Sequence, residues 1–157
     1  MNEILSMMHH MTQPEYVHVL LNPMPLYGMA AGAFLLVWSR LRHPEGFPEG
    51  TLIWIILVAM VTGLAVYFGE QALENVGVIA DAHGNRWLAH HKARAETLMY
   101  IFYLAGACAL GSLWAQRRRP LWARRLVSLT LVLTFLSIGA AGWISHAGGQ
   151  IMHAEFR

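Results

Sequence analysis

The chain has 157 residues, 56% of them hydrophobic and 13% charged, with a formal net charge of +2 and a mean hydropathy of +0.42. A soluble domain carries about twice that charged share, and the basic residues form two short clusters rather than a stripe. A nucleic-acid surface is therefore excluded, lipid is the expected solvent, and the length suits a single membrane domain over 1–157.

The opening MNEILSMMHHMTQPEY has no basic start and no long apolar core, so a cleaved signal peptide is not expected, and the first spanning helix is expected to direct insertion. Met and His interleave in residues 5–11 (LSMMHHM), where soft thioethers beside imidazoles suit copper. An uncoordinated terminus is the plain alternative.

Spanning a bilayer takes ~20 mostly apolar residues. Four segments meet this and predict an all-α, four-helix membrane bundle, with helices at about 16–38, 52–70, 94–115 and 122–147. None shows the period of two expected of a membrane strand. Pro23 and Pro25 fall inside the first segment. Each removes a backbone donor, so they either kink the helix or mark its start, with 14–22 as a lead-in. Two connections, RLRHPEGFPEG and AQRRRPLWARR, are short. The third, GEQALENVGVIADAHGNRWLAHHKARAE, is longer and is expected to hold an extension of helix two, a turn at Gly84 and the start of helix three.

Arg40, Arg42, Arg117, Arg118, Arg119, Arg124 and Arg125 are seven of the eleven Lys and Arg residues, and all lie in the two short loops. The positive-inside rule then predicts N-out/C-out insertion in a bacterial inner membrane, with the second loop on the periplasmic face. Tyr16, Trp38, Trp54, Trp87, Trp114, Trp122 and Trp143 lie near helix ends and read as an interfacial belt. The single cysteine, Cys108, reads as a small buried hydrophobe; the chain has no internal disulfide and no CxxCH.

That topology sorts the nine histidines. His43 alone falls on the cytoplasmic side. His9, His10, His18, His83, His90, His91, His146 and His153 fall at the outer face, and ionisable groups near membrane depth tend to be functional. His146 and His153 are two helical turns apart, ~10.5 Å, too far to serve one haem as axial ligands. Gly148 and Gly149 between them leave room for a flat macrocycle or a neighbouring helix. His90 and His91 point ~100° apart, so only one faces the bundle interior. His91 is favoured, because it shares a face with Ala95, Leu98 and Phe102.

His18, His91, His146 and His153 thus come from three helices at similar depth. Imidazoles from facing helices suit haem b, one or two, or a transition metal. For copper or zinc the candidate set is His18, His90, His91, His146, His153 and Glu70, with Glu96 also in reach. Glu70 otherwise pairs with Arg94, and hydrogen-bonded interfacial histidines are the non-functional alternative. No hydrolase triad, P-loop or paired catalytic carboxylates occur.

Three motifs carry a resemblance: His18 with Pro25 seven positions on, a histidine opening helix three (His90 or His91), and the closing set His146, Gly148, Gly149, Ile151 and His153. Over about residues 14–153 the chain resembles a bacterial four-helix membrane domain family of unknown function, whose members often occur near or fused to c-type cytochromes. That family often has a second histidine two residues before the proline; Pro23 stands there in this chain. The resemblance implies a haem b-binding electron-transfer subunit of a larger respiratory or redox complex. It would be non-catalytic itself, with a c-type cytochrome and possible quinone contact as partners. A non-haem copper or zinc protein and a purely structural anchor are the other classes.

Overall fold

Proline sets the starts of the second and third helices. A computed structural model describes residues 3–44 and 46–156; in it α1 (Glu3–His10) ends before Pro14 opens α2 (Pro14–Leu21), and Pro23 opens α3 (Pro23–Arg42). The α2–α3 break is slight. Asn22 keeps helical dihedrals and its N–H reaches His18 O, at 2.8 Å. Pro23 and Pro25 offer no N–H to the carbonyls of Val19 and Leu21, so the ladder lapses there. The lead-in segment expected before Pro25 is thus itself helical. It packs on α4 (Glu49–Ile79), and 14–42 forms one span.

α4, α5 (Ala82–Ala115) and α6 (Pro120–Met152) have 31, 34 and 33 residues; α4 and α6 outrun their apolar stretches at both ends and α5 at its start. At 1.5 Å per residue they reach about 46–51 Å, well past a hydrocarbon core of ~30 Å. Gly84 makes no turn. It is buried in α5, and the reversal falls at Ala80 and Asp81. Asp81 caps α5 by accepting from Gly84 N at 2.6 Å, while Asn85 Nδ2 donates to the carbonyls of Gly77 and Ala80, both at 3.0 Å. Those bonds satisfy the polar ends that a glycine-free turn exposes.

α3 packs on α4 and α6, and α5 packs on the same two, closing an up-down ring. One end carries the α3–α4 and α5–α6 turns with their arginines; the other carries α2 and the α4–α5 turn. The four spans are long and apolar enough to cross a membrane. Outward Phe34, Leu57, Met60, Leu104, Val132, Phe135 and Leu136 are all exposed, an apolar surface far beyond what a water-soluble monomer shows.

Between apolar helices in lipid, close approach replaces the hydrophobic drive. α3 meets α4 through Gly28 and Gly32, where an added Cβ would lie 2.7 Å from Val58 and 2.8 Å from Ile55. Trp54, read from sequence as belt, is half-buried here, and its Nε1 donates to Gly28 O at 2.8 Å. α6 buries a stripe at three- and four-residue spacing: Val127, Thr130, Thr134, Ser137 and Ala141. Its hydroxyls return to their own helix, Thr130 to Leu126 O, Thr134 to Thr130 O and Ser137 to Leu133 O, so no polar group is stranded. At Gly106 an added Cβ would stand 2.8 Å from the Ala59 Cβ. A methyl on a backbone cannot swing aside, so Gly106→Val is expected to push α4 and α5 apart at a cost of about 1–3 kcal/mol. Thermal unfolding in detergent, with Gly139→Val as a control in open space, measures it; equal midpoints would refute the tight contact.

Candidate functional site

α2 packs on α4 and carries His18 against it. The imidazole ring lies over Gly69, where a Cβ would be 2.8 Å from both Cε1 and Nδ1. His18 Nδ1 donates to Ala65 O at 2.7 Å. Across the site, His91 of α5 repeats the arrangement on α6: Nδ1 donates to Ile144 O at 3.0 Å, and the ring lies over Gly148, where a Cβ would be 3.2 Å from Cε1 and Nδ1. In each case the accepting carbonyl lies four residues before the glycine, so the missing side chain uncovers a carbonyl already in the helix ladder.

A carbonyl can only accept, so both Nδ1 atoms carry the proton. In the neutral ring this leaves Nε2 as the free lone pair. The two ring centroids lie 6.2 Å apart with the planes at 86°, an edge-on arrangement. Imidazole nitrogens on opposite sides of one metal ion stand about 4 Å apart, which places the ring centres about 6 Å apart. The pair therefore has the spacing of two trans ligands to one ion.

Both rings line a cavity of about 430 Å³ between α2, α4, α5 and α6, within the range of small-molecule and cofactor sites. Val66, Leu73, Met99 and Phe102 give it apolar walls. Glu15, three residues before His18, also lines it: one carboxylate oxygen accepts from Asn75 Nδ2 at 3.0 Å, and the other is buried with no protein partner. Exposed Lys92 lines it too, 3.6 Å from Glu96.

The other candidates lie elsewhere. His90 is exposed, with its ring 5.7 Å from that of Trp87, and His146 is exposed with its ring 5.8 Å from the same indole. His153 lies beyond α6, its Nδ1 2.8 Å from Glu155 Oε1 and its ring stacked on Phe156. Of the expected ligands, His18 and His91 come together; His146 and His153 join neither them nor one another. Of the glycine pair, Gly148 admits the His91 ring and Gly149 faces open space. Glu70 lines the cavity, while Arg94 turns to α6, donating to Trp143 O at 2.9 Å with its guanidinium 4.6 Å over the Trp143 ring. On the N-terminal segment, His10 bonds locally to Gln13 and lies against Tyr16. Among the described residues no group of three or more His, Cys, Asp or Glu converges as a bare metal ion requires.

Sequence reasoning missed Gly69, Glu15 and the two accepting carbonyls. A signal existed: Ala65-x-x-x-Gly69 and Ile144-x-x-x-Gly148 share one spacing, but it has meaning only once each glycine is matched to a histidine on another helix. Comparison of the chain with family models, curated proteins and solved structures finds no match.

Proposed function

We propose that His18 and His91 hold one haem b between them and that the chain is a membrane electron-transfer subunit. The observation that carries this reading is the paired geometry: two imidazoles 6.2 Å apart, each pinned through Nδ1 to a backbone carbonyl over a glycine. Two protein ligands do not complete a shell for a bare copper or zinc ion, but they do complete a haem iron, whose other four nitrogens belong to the macrocycle. When bound, haem supplies reversible one-electron exchange.

The chain's own residues supply the rest. The carbonyls of Ala65 and Ile144 fix each tautomer and ring orientation, outer-shell contacts whose loss elsewhere weakens binding about 10–100-fold. The apolar walls exclude water, and Lys92 offers a cation to the carboxylate edge of a haem. Arginine counting puts the pair near the periplasmic face of a bacterial inner membrane, N-out/C-out. A c-type cytochrome or a quinol is then the exchange partner, within a larger respiratory complex.

The test is an absorption spectrum of the purified protein with and without dithionite. A Soret shift and a sharpened alpha band of b type, with one haem per chain, are expected. A colourless protein carrying stoichiometric copper or zinc overturns the haem assignment, and a colourless, metal-free protein that binds no added haemin leaves only an anchor role.

A further inference from the structure

At the end of the bundle that carries α2 and the α4–α5 turn, no residue of α1 is buried. A helix this short does not hold its shape in water alone, where isolated segments under about 12–15 residues are marginal. Its stability has to come from what its faces meet. At about 100° per residue, Ile4, Leu5, Met7 and Met8 fall within one arc of about 160°, and Glu3, Ser6, His9 and His10 take the opposite side. Met11 follows in phase with the apolar arc, because its N–H still bonds to Met7 O at 3.0 Å. The five apolar side chains are 48–64% exposed. The polar side is bonded along its own length: Ser6 Oγ donates to His10 Nε2 at 3.4 Å, and His10 Nδ1 donates to Gln13 Oε1 at 3.3 Å.

Connectivity fixes the depth at which that apolar arc sits. Only Met11, Thr12 and Gln13 separate α1 from α2, and the amides of Thr12 and Gln13 donate to His9 O and His10 O at 3.1 and 2.9 Å. Three residues reach about 10 Å at most, so α1 stays beside Pro14, where the span 14–42 begins. The His10 ring lies 5.7 Å from that of Tyr16, which is exposed. Tyrosines at the ends of spanning helices lie at the membrane–water interface. The exposed apolar arc of α1 therefore continues the apolar surface of the spans at interfacial depth. Its chemistry fits lipid: α1 has no Lys or Arg, and flexible Met side chains adapt to an irregular boundary.

We propose that α1 lies in the plane of the membrane surface, with Ile4, Leu5 and Met8 set into the boundary between headgroups and acyl chains and Ser6 and His9 turned to water. The partner is the bilayer itself, held by apolar area rather than by charge. The proposal rests on the four spans crossing a membrane and is independent of haem.

The full chain, with Cys108→Ala so that no native thiol competes, is spin-labelled singly at Ile4→Cys, Met8→Cys, Ser6→Cys or His9→Cys in phosphatidylcholine nanodiscs. Collisions of each label with oxygen, which concentrates in lipid, are compared with collisions with a water-soluble nickel chelate. Oxygen is expected to dominate at Ile4 and Met8, at a depth of about 5–10 Å, and the chelate at Ser6 and His9. Chelate access at all four positions would overturn the proposal. Exclusion of both reagents at Ile4 and Met8 would show a protein covering that face and overturn the lipid assignment. Adding phosphatidylglycerol is expected to leave the pattern unchanged; a pattern that appears only with it would overturn the apolar drive. Leu5→Glu/Met8→Glu is expected to raise chelate access at the Ile4 label to the level seen at Ser6, and an unmoved label would count against the proposal. No α1 side chain is buried, so these changes leave the bundle folded.

Discussion

Alanine at either His18 or His91 is expected to abolish the low-spin b-type spectrum of the haem-loaded protein, while alanine at His146 or His153 leaves it unchanged. The contrast follows from placement. Only His18 and His91 share the cavity and stand at two-ligand spacing; His146 is exposed against Trp87, and His153 is paired with Glu155 outside the last spanning helix. Removing one ring leaves a single axial nitrogen, so the Soret band should move toward that of a high-spin haem and retention through gel filtration should fall. The fold itself should survive, since each change deletes one hydrogen bond, worth about 1 kcal/mol. Helical content by circular dichroism serves as the control. An unchanged His91→Ala spectrum, or one abolished in His146→Ala, would move the ligand set back to the closing motif.

That motif shows where a linear reading stops. The four spans were plain in the sequence because hydropathy is additive along a segment. The four apolar runs match the four spans, differing at their ends: the polar stretch after helix two is helical on both sides, as expected, but Asp81 and Asn85 place the turn at residues 80–81 rather than at Gly84. Helical phase also favoured His91 over His90, and the structure puts His91 inside and His90 outside. The ligand pairing was not legible. His146, seven positions before His153 with Gly148 and Gly149 between them, was read as a ligand alongside His18, yet Gly148 serves His91 rather than His146. Which histidine meets which glycine depends on how neighbouring helices are set side by side, which is not encoded within one segment.

The second large effect is expected at Gly69, whose replacement by alanine should weaken haem binding without weakening the bundle. The added Cβ would stand 2.8 Å from both Cε1 and Nδ1 of His18, a distance real contacts do not show. The ring cannot tilt away and keep its 2.7 Å bond to Ala65 O. Nor is α2 free to retreat, because Glu15 on the same helix accepts from Asn75 of α4. The imidazole must therefore leave its carbonyl, and the two-ring spacing is lost with it. Haem affinity is expected to fall about 10–100-fold, the scale set by losing an outer-shell orienting bond. Gly148→Ala is the graded comparison. There the Cβ would meet His91 at 3.2 Å, so a shift of a few tenths of an ångström absorbs it, and haem should stay bound with a perturbed spectrum. Backbone effects run the other way: glycine to alanine inside a helix gains up to about 1 kcal/mol. Unfolding of the haem-free variants should thus occur at or above the wild-type temperature, which separates a displaced ligand from a damaged fold. If Gly69→Ala binds haem as tightly as the wild type, the His18 ring is not pinned between Ala65 and Gly69, and the two-ligand geometry loses one of its supports.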